Sequence, residues 1–364
     1  MSTAAEPLLE IRDLEVVRGG SPVLKIPSFA LHSNETVALI GPNGTGKSSF
    51  LLALAGLLPL KSGKIFFKRR EVVPGFASTE YRRNLSMVFQ EPLLFDATVF
   101  NNVAVGLKLR HLGSREIKER VNSCLERFHI SHLADRSARK LSGGEAQRTS
   151  LARAFATNPE IIFLDEPFVA LDPPARQALS DDLEKVLRES GTTAILTTHD
   201  QMDALRLADR MVVMEQGKII QSGTPSSVHN QPANEFVATF VGMENIFTGK
   251  VKEAENGLFS VAVSGKSMEI MGDAAPRESV VICIRPEHVV ISLKNPETTS
   301  TRNIFPCTIT KIVQLGLFTK VYLDCGFSLV AAITNQSIEF LSLQTGSHVF
   351  ASFKATAVHI FRKG

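Results

Sequence analysis

Two glycine-bearing segments about a hundred residues apart constrain this chain more than anything else in it. The first, Gly41–Ser49 (GPNGTGKSS), satisfies G-x-x-x-x-G-K-[ST] without departure. It follows the apolar run Glu35–Ile40 (ETVALI) and opens Ser48–Leu58, which reads as a helix with one apolar face. Strand, glycine loop and helix in that order form a phosphate cradle. Glycines let backbone N–H groups wrap the anion, and the positive end of the helix points at it. Gly41, Pro42, Asn43, Gly44, Thr45, Gly46, Lys47, Ser48 and Ser49 are therefore the candidate nucleotide-binding residues. Lys47 would neutralise β/γ-phosphate charge, and the Ser48 hydroxyl would complete a Mg²⁺ shell.

The second segment, Leu141–Arg148 (LSGGEAQR), precedes a predicted helix at Ala146–Ala156. Ser142, Gly143 and Gly144, followed by Glu145, bring a hydroxyl and free amides to a helix start. That is either an anion site or a plain turn with an N-cap. Within one chain the two anion sites cannot address the same phosphates. A head-to-tail homodimer resolves this, each glycine loop being covered by the other copy's Ser-Gly-Gly, with ATP held between them.

Further candidates lie at strand ends. Ile161–Glu166 (IIFLDE) is an apolar strand closed by two carboxylates. Alternation along a strand separates their tasks, Asp165 going to Mg²⁺ and Glu166 to the attacking water. His199 ends the run Thr193–Thr198 (TAILTT), where ligands gather in such folds, and would meet the γ-phosphate. Gln90 follows Leu85–Phe89 and could reach the Mg²⁺ or the water.

The length of 364 residues favours two domains. Up to about residue 240, strands alternate with helices (Pro174–Glu189 and Gln201–Ala208 among them), predicting a mainly parallel sheet covered on both faces. Strand signals vanish between 91 and 140, and Arg115–Phe128 has helical spacing, so a helical subdomain is placed there. From 245 to 364 short β-rich runs predict an all-β barrel: Phe259–Val263, Val280–Ile284, Val289–Leu293, Lys320–Leu323, Leu329–Ile333 and Val349–Phe353. Glu244–Val251 (ENIFTGKV) resembles Arg302–Ile309 (RNIFPCTI), and Gly257-Leu258-Phe259 recurs at Gly316-Leu317-Phe318, suggesting two similar halves.

The net charge of +3 does not call for nucleic acid, and no apolar run reaches the roughly 18 residues that span a bilayer. The opening residues show no basic segment followed by an apolar one, so a cytosolic protein is expected, working at a membrane only through a partner. Cys124, Cys283, Cys307 and Cys325 form no Cys-x-x-Cys pair, and buried free thiols are expected rather than zinc or disulfides.

The ordered set GPNGTGKS, Gln90, LSGGEAQR, IIFLDE, Ala170-Leu171-Asp172 and His199 resembles the ATP-binding subunit of an ABC transporter from Leu8 to about Phe240. The resemblance implies an α/β P-loop domain of the ABC type with a helical subdomain. It implies an ATPase whose catalytic base is Glu166, whose γ-phosphate contact is His199 and whose coupling glutamine is Gln90. It also implies a pair of copies beneath two permease subunits on the cytoplasmic face of the membrane, served indirectly by a substrate-binding receptor. One position departs from the family. The usual aromatic that stacks on adenine is replaced by Val16-Val17-Arg18-Gly19-Gly20, so that either the Arg18 guanidinium stacks on the base or adenine is held loosely.

The C-terminal part is similar to the OB-like TOBE/MOP barrel of importer ATPases, most of all the molybdate/tungstate version. That would let Ser300, Thr301, Arg302, Lys354 and Thr356 bind an oxyanion. A purely structural barrel is the alternative. Sulfate, iron, polyamine and sugar importers share the shape, and a soluble non-transport ABC ATPase is the competing class. No Asn-Lys-x-Asp guanine-reading motif is present, and the barrel lacks a dense basic–aromatic run.

Overall fold

The computed structural model describes residues 6–72, 79–169, 171–255 and 257–362. The chain divides into two compact units, one ending at Ser226 and the other beginning at Ser227.

The first unit holds two sheets. A four-stranded antiparallel sheet, order β2-β1-β4-β5, contains β1 (Pro7–Arg18), β2 (Ser21–His32), β4 (Ser62–Phe67) and β5 (Arg70–Val72). The sequence reading missed this layer. Its strands alternate buried and exposed positions and lack the continuous apolar runs of a sheet covered on both faces. The second sheet has six strands in the order β10-β9-β3-β8-β7-β6. These are β3 (Thr36–Ile40), β6 (Leu85–Val88), β7 (Ile161–Asp165), β8 (Thr193–Thr198), β9 (Arg210–Glu215) and β10 (Lys218–Gly223). Pairing is parallel from β9 through β6, and only β10 runs antiparallel, at the edge. Every residue of β3, β7 and β8 is buried, as expected of central parallel strands.

Helix α1 (Lys47–Leu54) packs on β2, β7 and β8, and ends four residues before the predicted Leu58. A short α2 (Thr79–Arg83) precedes β6 and seats the buried Tyr81, whose hydroxyl donates to the Leu54 carbonyl at 2.7 Å. The helical subdomain is built from α3 (Val99–Leu109) and α4 (Ser114–Arg127), both packed on α5 (Gly143–Ala156). Helix α5 begins at Gly143, three residues earlier than the sequence reading placed it. Helices α6 (Pro173–Ser190) and α7 (Gln201–Leu207) follow β7 and β8. Ala170 of the Ala170-Leu171-Asp172 segment lies outside the described residues; Asp172 caps α6 by accepting from the Ala175 amide at 2.8 Å.

After α8 (Pro225–Asn230), which spans the division, the second unit carries α9 (Glu235–Phe240) and two five-stranded antiparallel sheets. The first has the order β13-β12-β11-β14-β20 and the second β15-β19-β16-β17-β18. The strands are β11 (Asn245–Glu255), β12 (Leu258–Val263), β13 (Lys266–Met271), β14 (Ser279–Ile284), β15 (Val290–Ser292), β16 (Asn303–Leu315), β17 (Phe318–Asp324), β18 (Ser328–Thr334), β19 (His348–Phe353) and β20 (Val358–Arg362). A helix, α10 (Asn335–Phe340), is inserted after β18.

The two halves repeat one plan. Four strands are followed by a 3₁₀ turn, at Pro286–His288 or Ala355–Ala357, and then by a short fifth strand. That fifth strand joins the sheet of the other half, β15 pairing with β19 and β20 with β14. Matching asparagines open β11 and β16. Asn245 donates to the Val330 carbonyl at 2.9 Å and accepts from its amide at 2.6 Å, while Asn303 does the same to Glu269 at 2.8 and 2.8 Å. The weak repeat seen in the sequence is thus a structural duplication in which each half completes the other around one shared core.

The expectation of four free thiols fails for one pair. Cys307 and Cys325 form a disulfide, and only Cys124 and Cys283 are free. The cysteines are 18 residues apart, with no local motif to signal pairing. The β16–β17 register, which sets Thr308 opposite Asp324, brings their Cα atoms to 4.2 Å. Burial raises the Cys124 thiol to about 11 and that of Cys283 to about 12, so neither is a ready nucleophile near neutrality.

Candidate active site

Strands β3, β8, β7 and β6 are neighbours and parallel, so their carboxyl ends open on one edge of the sheet. The glycine loop leaves β3 there, Asp165 and Glu166 end β7, His199 follows β8, and Gln90 follows β6. Chain separations of more than a hundred residues collapse into one cluster.

The glycine loop is held from outside. Gly41 has φ +149°, and a Cβ there would sit 2.4 Å from the Met214 carbonyl oxygen. At Gly46 (φ +100°) it would meet Leu24 Cδ2 at 2.8 Å. The β9–β10 turn closes the far side, where the Gly217 amide donates to the Thr45 carbonyl at 3.0 Å and the Lys25 amide donates to the Gly217 carbonyl at 2.8 Å. Gly217 was not singled out from sequence. Its only local signal was a Gln-Gly pair between two strands. The Thr45 hydroxyl donates to the Pro42 carbonyl at 3.0 Å, tightening the loop further.

Lys47 is 5% exposed, and its ammonium donates to the Gly41 and Pro42 carbonyls at 2.8 and 3.0 Å. Burial pulls its pKa below the ordinary lysine value, opposed by the charges of Glu166 and Asp165. The Ser48 hydroxyl donates to Asp165 Oδ1 at 2.8 Å, and that oxygen also accepts from Thr197 Oγ1 at 2.7 Å. Asp165 is 7% exposed and has no cationic side chain paired to it among the described residues. A hydroxyl and one buried carboxylate beside a phosphate cradle suit Mg²⁺, which takes few protein ligands and keeps phosphate oxygens and waters. Among the described residues no group of three or more His, Cys, Asp or Glu is arranged to hold a metal ion by itself.

Glu166 turns the chain out of β7 at φ +45°. Its carboxylate Oε2 lies 2.9 Å from His199 Nδ1. His199 is fixed by its turn. The Asp200 amide donates to Thr198 Oγ1 at 3.0 Å, Thr198 Oγ1 donates to Asp203 Oδ2 at 3.0 Å, and Arg176 pairs with Asp200 at 2.9 Å. Gln90 is exposed at the end of β6. It opens a segment with two exposed apolar side chains, Leu93 and Phe95, over which Arg153 reaches to donate to the Leu93 carbonyl at 2.7 Å.

Ser142 is the N-cap of α5 in a reciprocal capping box. The Glu145 amide donates to Ser142 Oγ at 3.4 Å, while Glu145 Oε2 accepts from the Ser142 amide at 2.7 Å and its hydroxyl at 2.9 Å. These bonds, led by the Ser142 amide, hold the Glu145 carboxyl below its ordinary pKa. In this chain Ser142 thus serves as a helix cap, with the Glu145 carboxylate against its amide and hydroxyl. Helix α5 packs on α3, α4 and β6, away from the surfaces that α1 covers.

Arg18 is exposed at the end of β1, opposite Ser21 across a Gly19-Gly20 hairpin tip. In the second unit, pairing of Asn303 with Phe353 sets Arg302 and Lys354 at the same end of one sheet. Arg302 is paired there with Glu269 at 3.0 Å, and Ser300, Lys354 and Thr356 are exposed.

Residues 24–169 match the ABC transporter family, and residues 299–360 match the TOBE domain. The molybdate/tungstate import ATP-binding protein of Pyrococcus horikoshii is 37% identical over 92% of this chain and 94% of its own length. The spermidine/putrescine import ATP-binding protein of Haemophilus influenzae is 35% identical over 79% of this chain and 77% of its own. A solved structure of CbiO1 from Clostridium perfringens, part of an ABC transporter complex, superposes with a TM-score of 0.57 at 30% identity, covering 65% of this chain and 95% of that one. With its nucleotide loop, its LSGGE helix start and a C-terminal TOBE domain in one chain, this protein belongs to the ATP-binding, ATP-hydrolysing subunits of ABC importers.

Proposed function

We propose that this chain energises uptake of molybdate or tungstate. It would act as a homodimer on the cytoplasmic face of the membrane, beneath two permease subunits that receive cargo from a separate receptor. The ATPase domain would be the unit that ends at Ser226, with its helical subdomain at about 91–140, and the regulatory barrel the unit that begins at Ser227, whereas the sequence alone put the division at about 240–245. The observation that carries the ATPase reading is the continuous chain of contacts Ser48–Asp165–Thr197–Glu166–His199 at the edge of the sheet where the glycine loop opens.

ATP would lie along Gly41–Ser49, with Lys47 releasing its carbonyl contacts for the β/γ-phosphates. Ser48, Asp165 and Gln90 would hold Mg²⁺, whose charge offsets that of the β- and γ-phosphates. Glu166 orients and deprotonates the attacking water, and His199 fixes the Glu166 carboxylate. Ser142, Gly143 and Gly144 of the second copy would complete the site, with Glu145 yielding its place to the γ-phosphate. Arg18 would lie on the adenine, and the exposed Leu93–Phe95 segment would receive a permease helix. Nucleic acid has no part in this reading.

The substrate assignment is supported by the molybdate/tungstate relative, which aligns across the barrel as well as the ATPase part. Polyamine uptake is the second reading, favoured by the 35% identity to spermidine/putrescine relatives. Titration of the full chain with molybdate, tungstate, sulfate and spermidine separates them. Binding of molybdate or tungstate that is lost in Lys354→Ala supports the oxyanion reading and a barrel site; binding of spermidine alone reverses it.

A further inference from the structure

Thr197 is the penultimate residue of β8 and has no exposed surface. Its hydroxyl donates to Asp165 Oδ1 at 2.7 Å and accepts from the Glu166 amide at 2.9 Å. One proton and one lone pair of a single hydroxyl thus reach two consecutive residues of the neighbouring strand's end. The Glu166 amide also reaches the Thr197 carbonyl, at 3.2 Å, so the hydroxyl makes the shorter of its two contacts.

The two residues it joins do different things. Asp165 Oδ1 is shared with Ser48 Oγ, so Thr197 and Ser48 grip the same carboxylate oxygen from opposite elements. Glu166 stands at φ +45°, a conformation that costs free energy for a non-glycine residue and persists where neighbours hold it. That turn sends the Glu166 carboxylate to His199 while Asp165 stays on Ser48. The core of β8 needs no hydroxyl at position 197 for burial. Ala194, Ile195 and Leu196 are apolar and equally buried, and valine has the same shape as threonine. A buried hydroxyl is costly unless paired, and this one is paired on both sides with the hydrolytic cluster.

We infer that Thr197 is a positioning residue for ATP hydrolysis: its hydroxyl locks Asp165 and the Glu166 backbone in register, setting one carboxylate on the Ser48 side and the other on the His199 side. It touches neither the nucleotide nor the attacking water. This rests on the roles proposed above for Asp165 and Glu166.

The test compares full-length Thr197→Val and Thr197→Ser with wild type and with Glu166→Gln. Phosphate release gives kcat and KM, a fluorescent ATP analogue gives nucleotide affinity with and without Mg²⁺, and melting curves monitor the fold. Thr197→Val should lower kcat by about 10- to 100-fold, the range typical of groups that orient metal ligands. It should also weaken the Mg²⁺-dependent gain in nucleotide affinity while leaving Mg²⁺-free binding unchanged and the protein folded, with a lower melting midpoint from the two lost hydrogen bonds. Thr197→Ser should recover most of both losses. A valine variant with wild-type kcat and Mg²⁺ response overturns the inference, as does a serine variant as impaired as the valine one. If the valine variant does not fold, Thr197→Ala takes its place with the same outcomes. Normal turnover in Glu166→Gln would instead sink the catalytic reading of Glu166. The Mg²⁺ response of nucleotide binding would still judge the Asp165 half of the inference.

Discussion

His199 Nδ1 and Glu166 Oε2 stand 2.9 Å apart, although 33 residues of chain, including all of α6, separate them. The contact gives the carboxylate a fixed direction before any substrate arrives. Glu166→Gln should keep ATP binding, lose at least about 100-fold in hydrolysis, as expected for removal of a general base, and collect as an ATP-bound dimer. His199→Ala should lower kcat with little change in KM. Single-turnover phosphate release with size-exclusion chromatography reads both.

Gly217 buttresses the nucleotide loop from outside it. Its φ is +76°, and a Cβ there would lie 2.1 Å from the Val23 carbonyl oxygen. Gly217→Ala must displace β2 or the turn that holds the Thr45 carbonyl, costing about 1–3 kcal/mol of stability and weakening ATP binding. Gly19→Ala, at φ +56° with open space around it, is the control and should lose less. Melting curves with and without ATP distinguish the two.

A shared site predicts an asymmetric defect. Ser142→Arg in one copy of a mixed dimer should silence the nucleotide site whose glycine loop belongs to the other copy. Binding of labelled ATP to mixed dimers carrying Lys47→Ala in a chosen copy reports which site is lost. Two intact sites would refute the shared geometry.

Asn245 and Asn303 should be equivalent. Each is 2% exposed and satisfies both backbone groups of one residue in the other half of the barrel. Replacing either with alanine leaves a backbone N–H and C=O without their side-chain partner, buried at Val330 and half-buried at Glu269, costing about 1–3 kcal/mol. Urea unfolding followed through the second unit's transition should show losses of similar size.

Acid should loosen the second unit before carboxylates matter. Burial, reinforced by the Arg285 charge, lowers the His229 pKa, and burial lowers that of His359. Both resist protonation in the folded state, so the unfolded chain binds more protons between their folded pKa values and about 6.5. The stability they contribute is complete above about 6.5 and is lost as pH falls through the folded values. Buffer-matched melting at pH 7.5 and 5.5 should show a lower midpoint for the second unit in acid, with a smaller difference in His229→Gln.

The chain's class of chemistry was legible in its sequence because it resides in local spacing. Gly41–Ser48 specifies a loop conformation and its charges, IIFLDE places two carboxylates at a strand end, and both features survive without knowledge of neighbours. The sequence also carried the duplicated Asn-Ile-Phe segments of the barrel. Tertiary structure alone decided which distant groups meet. The grip of Thr197 on Asp165 and Glu166, the Gly217 buttress, the Cys307–Cys325 bond, and the exchange of β15 and β20 between halves all depend on strand order and register. Those are set by how sheets bury their faces across the whole fold, and spacing along the chain does not encode them. The same holds for Ser142, whose sequence allowed both an anion site and a helix cap. In this chain the partner is Glu145 of the same helix, which takes up the Ser142 amide and hydroxyl.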